Sequence, residues 1–123
     1  MDIKKNIVLA VDDMPEVLQC INSILQDSYD VRLAVNAASA QEVLKSTNVD
    51  LILLDVEMPG MSGLAFLEKL QKNETYKSIP VVFITSSSDD KVVKTAIKSG
   101  AKGYITKPFT PEALRESVEF FCL

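Results

Sequence analysis

The chain has 123 residues, 47% of them hydrophobic and 24% charged, which is material for one compact core and excludes a disordered polymer. The net charge of −4, from 13 basic and 17 acidic side chains, repels a phosphate backbone and argues against direct nucleic-acid binding. There is no histidine, which excludes Ser-His and Cys-His catalysis and any His-ligated zinc site within the chain.

Met1-Asp2-Ile3-Lys4-Lys5 leads into a short apolar run, not the longer one of a signal peptide. That run, over 7–11, reads as a first strand. Pro15 suits the first turn of a following helix, in which Val17, Leu18, Ile21, Ile24 and Leu25 share one face. Cys20 lies in this helix; it and Cys122 are the only cysteines, lack the spacing of a metal or redox pair, and read as reduced thiols. A second apolar run covers 31–35, and Ala40, Val43 and Leu44 form the next helical stripe. The third run, 51–54, is followed by a Pro59-Gly60 turn and a stripe of Leu64, Leu67 and Leu70. The fourth, 81–84, precedes Val93, Ala96 and Ile97, with Gly100 as the C-terminal cap of that helix. A weaker run around 103–105 comes last, before a helix begun by Thr110 as N-cap and Pro111, with Leu114, Val118 and Phe121 on one face.

Runs this short, rich in Val, Ile and Leu, predict strands buried on both faces. The order is βα repeated five times. It predicts an α/β domain over 1–123: a five-stranded parallel sheet with helices on both faces, joined by right-handed crossovers. No run is long enough to cross a bilayer, so the expected location is the cytoplasm, with no membrane partner.

Ligands of such sheets bind outside the carboxyl ends of the strands, where the strand order reverses. The strands end in Asp12-Asp13, in Asn36-Ala37-Ala38-Ser39, in Asp55-Val56-Glu57, in Thr85-Ser86-Ser87-Ser88 and in Thr106-Lys107-Pro108. With the order 2-1-3-4-5, Asp12, Asp13 and Asp55 converge. Three crowded carboxylates need raised pKa values or a cation. An oxygen-only set with room for water suits Mg²⁺ better than Ca²⁺. Lys107 adds a fixed positive charge and Thr85 a hydroxyl, completing a cradle for a phosphoryl group. Taken singly, each signal has a plainer reading. An Asp-Asp pair serves as a helix cap, a lone Asp after a strand as a turn residue, and Lys-Pro as a turn. Only their convergence at one end of one sheet points to a site.

The segments V-D-D at 11–13, L-L-D-V-E-M-P-G-M-S-G at 53–63, V-V-F-I-T-S at 81–86 and G-A-K-G-Y-I-T-K-P-F at 100–109 resemble the receiver domains of bacterial two-component response regulators, and the likeness runs along essentially the whole chain. The resemblance implies a flavodoxin-like fold and a switch that is phosphorylated on Asp55. It implies a Mg²⁺ site made by Asp13, by Asp12 mostly through water, by Asp55 and by the backbone carbonyl of Glu57. It implies that Thr85 and Lys107 contact the phosphoryl group, with the backbone amides of Val56 and Ser86 as further donors. It also implies a cis Lys107–Pro108 peptide and a switch pair of Thr85 and Tyr104. Glu57 and Ser87 would tune dephosphorylation, against the plainer reading of exposed loop residues; Tyr104 has strand packing as its plainer reading. Met58 and Met61 read as loop and packing residues, and Phe109 as core.

The implied donor is a phosphohistidine on a histidine kinase or a histidine phosphotransfer protein. The implied output is a changed surface on the fourth helix, fifth strand and fifth helix, read by a downstream protein. The implied state is a monomer or a weak phosphorylation-dependent dimer. Three rivals stand beside this reading. A haloacid-dehalogenase-like phosphatase would use Asp55-Val56-Glu57 as its nucleophile pair, but there the nucleophile lies on the first strand. A nucleotide or flavin module lacks its glycine-rich motif here. A degenerate receiver would act by contact alone, although none of the expected site residues is missing.

Overall fold

A computed structural model describes residues 4–86 and 90–122. Its elements run β1 (Ile7–Val11), α1 (Pro15–Leu25), β2 (Asp30–Ala34), α2 (Ala37–Ser46), β3 (Leu51–Asp55), α3 (Gly63–Gln71), β4 (Val81–Thr85), α4 (Asp90–Lys98), β5 (Gly103–Thr106) and α5 (Pro111–Phe121). The five strands form one parallel sheet in the order β2-β1-β3-β4-β5. This is the flavodoxin-like arrangement expected from the alternating pattern. No helix among the described residues is long and apolar enough to cross a membrane.

β1, β3 and β4 are buried along their full length. Their side chains alternate between two cores, as the strand period requires. Leu9, Val11, Ile52, Leu54 and Phe83 join α2, α3 and α4 on one side of the sheet. Val8, Ala10, Leu53, Val82 and Ile84 join α1 and α5 on the other. Each fully buried Leu, Ile or Phe contributes about 2 kcal/mol by leaving water.

The edges behave differently from the prediction of burial on both faces. β2 and β5 are only partly covered, because an edge strand has a neighbour on one side alone. β2 also starts one residue earlier than expected, since the Asp30 N–H donates to the Asn6 carbonyl; Val35 falls beyond the strand and is exposed. β3, β4 and β5 each run one residue further than their apolar runs. The ladder thereby takes in Asp55 opposite Ile84 and Thr85 opposite Thr106.

Helix ends follow their capping chemistry. The Asn36, Ser62 and Thr110 side chains accept from the backbone N–H groups of Ser39, Ala65 and Ala113. Pro15 and Pro111 occupy first turns. Gly100, with φ of 110°, closes α4, and its N–H donates to the Ile97 carbonyl. Two stripes differ from the sequence reading. In α3 the buried face is Gly63, Phe66, Leu67 and Leu70, with Leu64 only half-buried. In α4 Ala96 is buried but Ile97 faces solvent. Phe109 is half-buried against the α1 and α5 core, Met58 is buried and Met61 exposed.

Candidate functional site: an acidic pocket at the carboxyl end of the sheet

After β1 the chain turns outward to β2 and then returns to the far side of β1 as β3. The carboxyl ends of β1 and β3 therefore part their following helices to opposite faces and leave a crevice. Asp12 and Asp13 follow β1, and Asp55 is the last residue of β3. One carboxylate oxygen from each of the three lies within 4.8 Å of the others. Asp12 and Asp55 are buried and Asp13 is exposed. The Asp-Asp pair is not a conventional helix cap, because Met14 occupies the N-cap of α1. Asp12 Oδ1 instead accepts from the Met14 N–H at 2.9 Å.

Lys107 enters from the end of β5. Its Nζ donates to Asp12 Oδ2 at 2.7 Å and lies 3.6 Å from Asp55 Oδ1. Its backbone N–H donates to the Thr85 carbonyl at 2.7 Å, and the peptide to Pro108 is cis. Thr85 is buried at the end of β4, one residue beyond the partner of Asp55. One ammonium thus lies against two of the three carboxylates. Burial, then the Asp12 charge, push the Asp55 carboxyl from 3.8 up to about 6, against the opposing pull of Lys107 and the Glu57 amide. That amide donates to Asp55 Oδ1 at 3.3 Å, and the Glu57 side chain is exposed.

The acidic excess and all-oxygen donor set fit a hard divalent cation. Asp12, Asp13 and Asp55 supply the carboxylates.

Other expected residues sit around this centre. Ser86 is exposed just past β4, and Ser87 lies outside the described residues. The Val56 N–H donates to the Ile84 carbonyl at 3.3 Å, so a phosphoryl oxygen would have to share that long bond. Tyr104 is a little under half exposed on β5 and lines a surface cavity of about 450 Å³ with Thr106, Phe109 and Ser117. Two features escaped the sequence reading. One is an apolar groove of about 430 Å³ that runs between Val17 and Cys20 of α1 and Pro108 and Phe109, with Lys107 and Ser86 at its edge. Its walls come from segments far apart in the chain, so no local pattern announces it. The other is Gly63, where an added Cβ would press on the Asp55 carbonyl oxygen and come 2.9 Å from Val56 Cα. The helix after β3 approaches the end of that strand this closely only because Gly63 has no side chain.

The family model of the response regulator receiver domain matches residues 8–119. The chain belongs to that family. This receiver is 32% identical over 114 residues to the chemotaxis protein CheY of Pseudomonas aeruginosa, covering 91% of this chain and 92% of that protein. It is 33% identical over 115 residues to a CheY homolog of Campylobacter jejuni, covering 91% and 88%. Among solved structures, the chemotaxis protein CheY4 of Vibrio cholerae superposes with a TM-score of 0.90 at 30% identity, over 95% of the receiver and 98% of that chain. The protein is a receiver of two-component signalling, a phospho-accepting signalling domain rather than a turnover enzyme. The phosphatase reading accordingly falls. Its Asp12, Asp13 and Asp55 form an acidic pocket of the kind that holds a divalent metal in receivers, and the family implies a histidine-kinase donor.

Proposed function

We propose that the receiver takes a phosphoryl group from a phosphohistidine onto Asp55, and that the phosphorylated form alters the α4–β5–α5 surface for a downstream protein. The observation that carries this is the convergence of three carboxylate oxygens within 4.8 Å with the Lys107 ammonium 3.6 Å from Asp55.

Asp55 is the nucleophile because it is buried at the strand end with one oxygen already oriented by the Glu57 amide. Asp12, Asp13, Asp55 and the Glu57 carbonyl would hold Mg²⁺. When bound, that ion supplies positive charge beside the transferring oxygens. Lys107 moves its charge from Asp12 toward the new phosphoryl group, and the Thr85 hydroxyl and the Val56 and Ser86 amides donate to it. The apolar groove between α1 and Pro108-Phe109 gives a histidine-bearing helix a surface beside the pocket. A histidine kinase or a histidine phosphotransfer protein supplies the group, since this chain has no histidine.

Phosphorylation adds roughly two negative charges at the strand ends. Thr85 follows them, and Tyr104 turns inward from its exposed position into the space released. This is a local charge event biasing a two-state element. Glu57 and Ser87 tune how readily water reaches the acyl phosphate. The receiver acts in the cytoplasm.

Intact-mass analysis after incubation with acetyl phosphate and Mg²⁺ tests the reading. Wild type is expected to gain one phosphoryl group and Asp55→Asn none. Equal labelling of both would overturn Asp55 as acceptor, and no labelling of wild type would leave an interaction module without a phosphoryl switch.

A further inference from the structure

β2 lies at one edge of the sheet, and among the described residues no further strand pairs with it. The Asp30 N–H donates to the Asn6 carbonyl and the Ala34 carbonyl accepts from the Asp12 N–H. The even-numbered residues of β2 therefore face β1, and the alternation of a parallel ladder turns the N–H and C=O groups of Val31 and Leu33 outward. Edges of this kind are usually blunted by short length, by charged side chains, above all lysine, by proline or by a bulge. β2 has no lysine or proline, and its register with β1 runs unbroken from Asp30 to Ala34. Its charges are Asp30 and Arg32, bonded to each other at 2.9 and 3.1 Å on one face of the strand. On the opposite face Leu33 is 40% exposed.

We propose that β2 is a self-association edge, pairing antiparallel with β2 of a second copy about a two-fold axis at Val31. The charge pattern selects this register. With Val31 opposite Val31, Asp30 of each copy stands opposite Arg32 of the other, twice by symmetry. The bond now made along the strand is then made across it. The outward groups of the Val31 pair exchange two backbone hydrogen bonds. Leu33 of each copy lies opposite Tyr29 of the other on the α1 face, an aromatic–aliphatic pair of the type that stabilises antiparallel strands. A dyad at Leu33 instead sets Arg32 against Ala34 and Asp30 against Asn36, and the charge match is lost. A two-fold perpendicular to the sheet keeps α1 on one side and α2 on the other in both copies. The paired residues lie within 29–33 and include none of the pocket residues.

Sedimentation velocity on the intact chain, without phosphodonor and up to roughly millimolar concentration, reads the association, which a short edge makes weak. Arg32→Asp places like charges opposite at both symmetric pairs and is expected to weaken the dimer roughly tenfold or more. The double swap Asp30→Arg with Arg32→Asp restores it, because the opposite charges again face each other across the dyad. Leu33→Pro, at a position whose N–H faces away from β1, leaves the β1 ladder intact and lowers the association. Circular dichroism confirms that each variant is folded. Wild type that stays monomeric throughout, association that ignores Arg32→Asp, or a double swap that fails to restore it overturns the proposal.

Discussion

Lys107 is bound more closely to Asp12 than to Asp55: its Nζ is 2.7 Å from Asp12 Oδ2 and 3.6 Å from Asp55 Oδ1. The ammonium is parked on the buried carboxylate beside Asp55. It screens the pocket in the resting protein and is within reach of a new anion on Asp55.

Lys107→Met removes that charge without removing the stem. A divalent cation then enters a more negative pocket, so Mg²⁺ affinity by calorimetric titration is expected to equal or exceed wild type. Phosphorylation by acetyl phosphate is expected to slow roughly hundredfold, the scale for losing one pre-organised donor to a developing charge. An unchanged labelling rate would remove Lys107 from the chemistry.

The raised Asp55 pKa has a definite sign in stability. An unfolded chain releases this proton near 3.8 and the folded one near 6, so the folded form binds the extra proton between those values. The group's favourable contribution is complete below the lower value and is lost as pH rises through the upper one. In EDTA, Asp55→Asn is expected to exceed wild type by about 1 kcal/mol above the folded pKa, after allowance for water reaching the site. The two proteins should converge below about pH 4. Urea titrations at several pH values decide this, and a difference independent of pH would refute the electrostatic cause. Adding Mg²⁺ should narrow the gap at neutral pH by binding to folded wild type.

Gly63→Ala tests the close approach of α3 to the end of β3. The new methyl meets the Asp55 carbonyl and Val56 Cα, which are backbone and yield only if the strand end or helix moves. A loss of about 2 kcal/mol in urea unfolding is expected, the cost of overpacking a buried contact. Mg²⁺ affinity should fall with it, because the displaced segment carries Asp55. Normal metal binding in a destabilised variant would confine Gly63 to packing.

Two phenylalanines of similar sequence character should behave oppositely. Phe66 is fully buried and Phe120 is 70% exposed. Phe66→Ala is expected to cost about 4 kcal/mol, and Phe120→Ala to stay within about 0.5 kcal/mol. Denaturant midpoints at constant slope provide the comparison.

Strand identities in the middle of the sheet were readable from composition because β1, β3 and β4 are buried on both faces whatever packs on them. The caps at Asn36, Ser62 and Thr110 are local bonds within four residues, and Thr110 and Pro111 were accordingly legible. The α3 stripe of Leu64, Leu67 and Leu70 lies on the core side and omitted Phe66, whereas the α4 stripe was misplaced toward Ile97, because a helix can rotate to bury either of two adjacent apolar rows and only the opposing side chains choose. The edge exposure of β2 and β5 follows from strand order, which no single segment encodes.

Taken alone, the chain of residues determined the five βα units, the absence of any histidine-based chemistry, and which polar residues follow each strand, since these depend on nearest neighbours and hydrophobic period. Tertiary structure decided that Lys107 rests on Asp12, that burial and the Asp12 charge push the Asp55 carboxyl up to about 6, and that Gly63 lies against the end of β3. Each of these is an interaction between groups brought together by folding, and its strength depends on distance and burial that exist only after the sheet has formed.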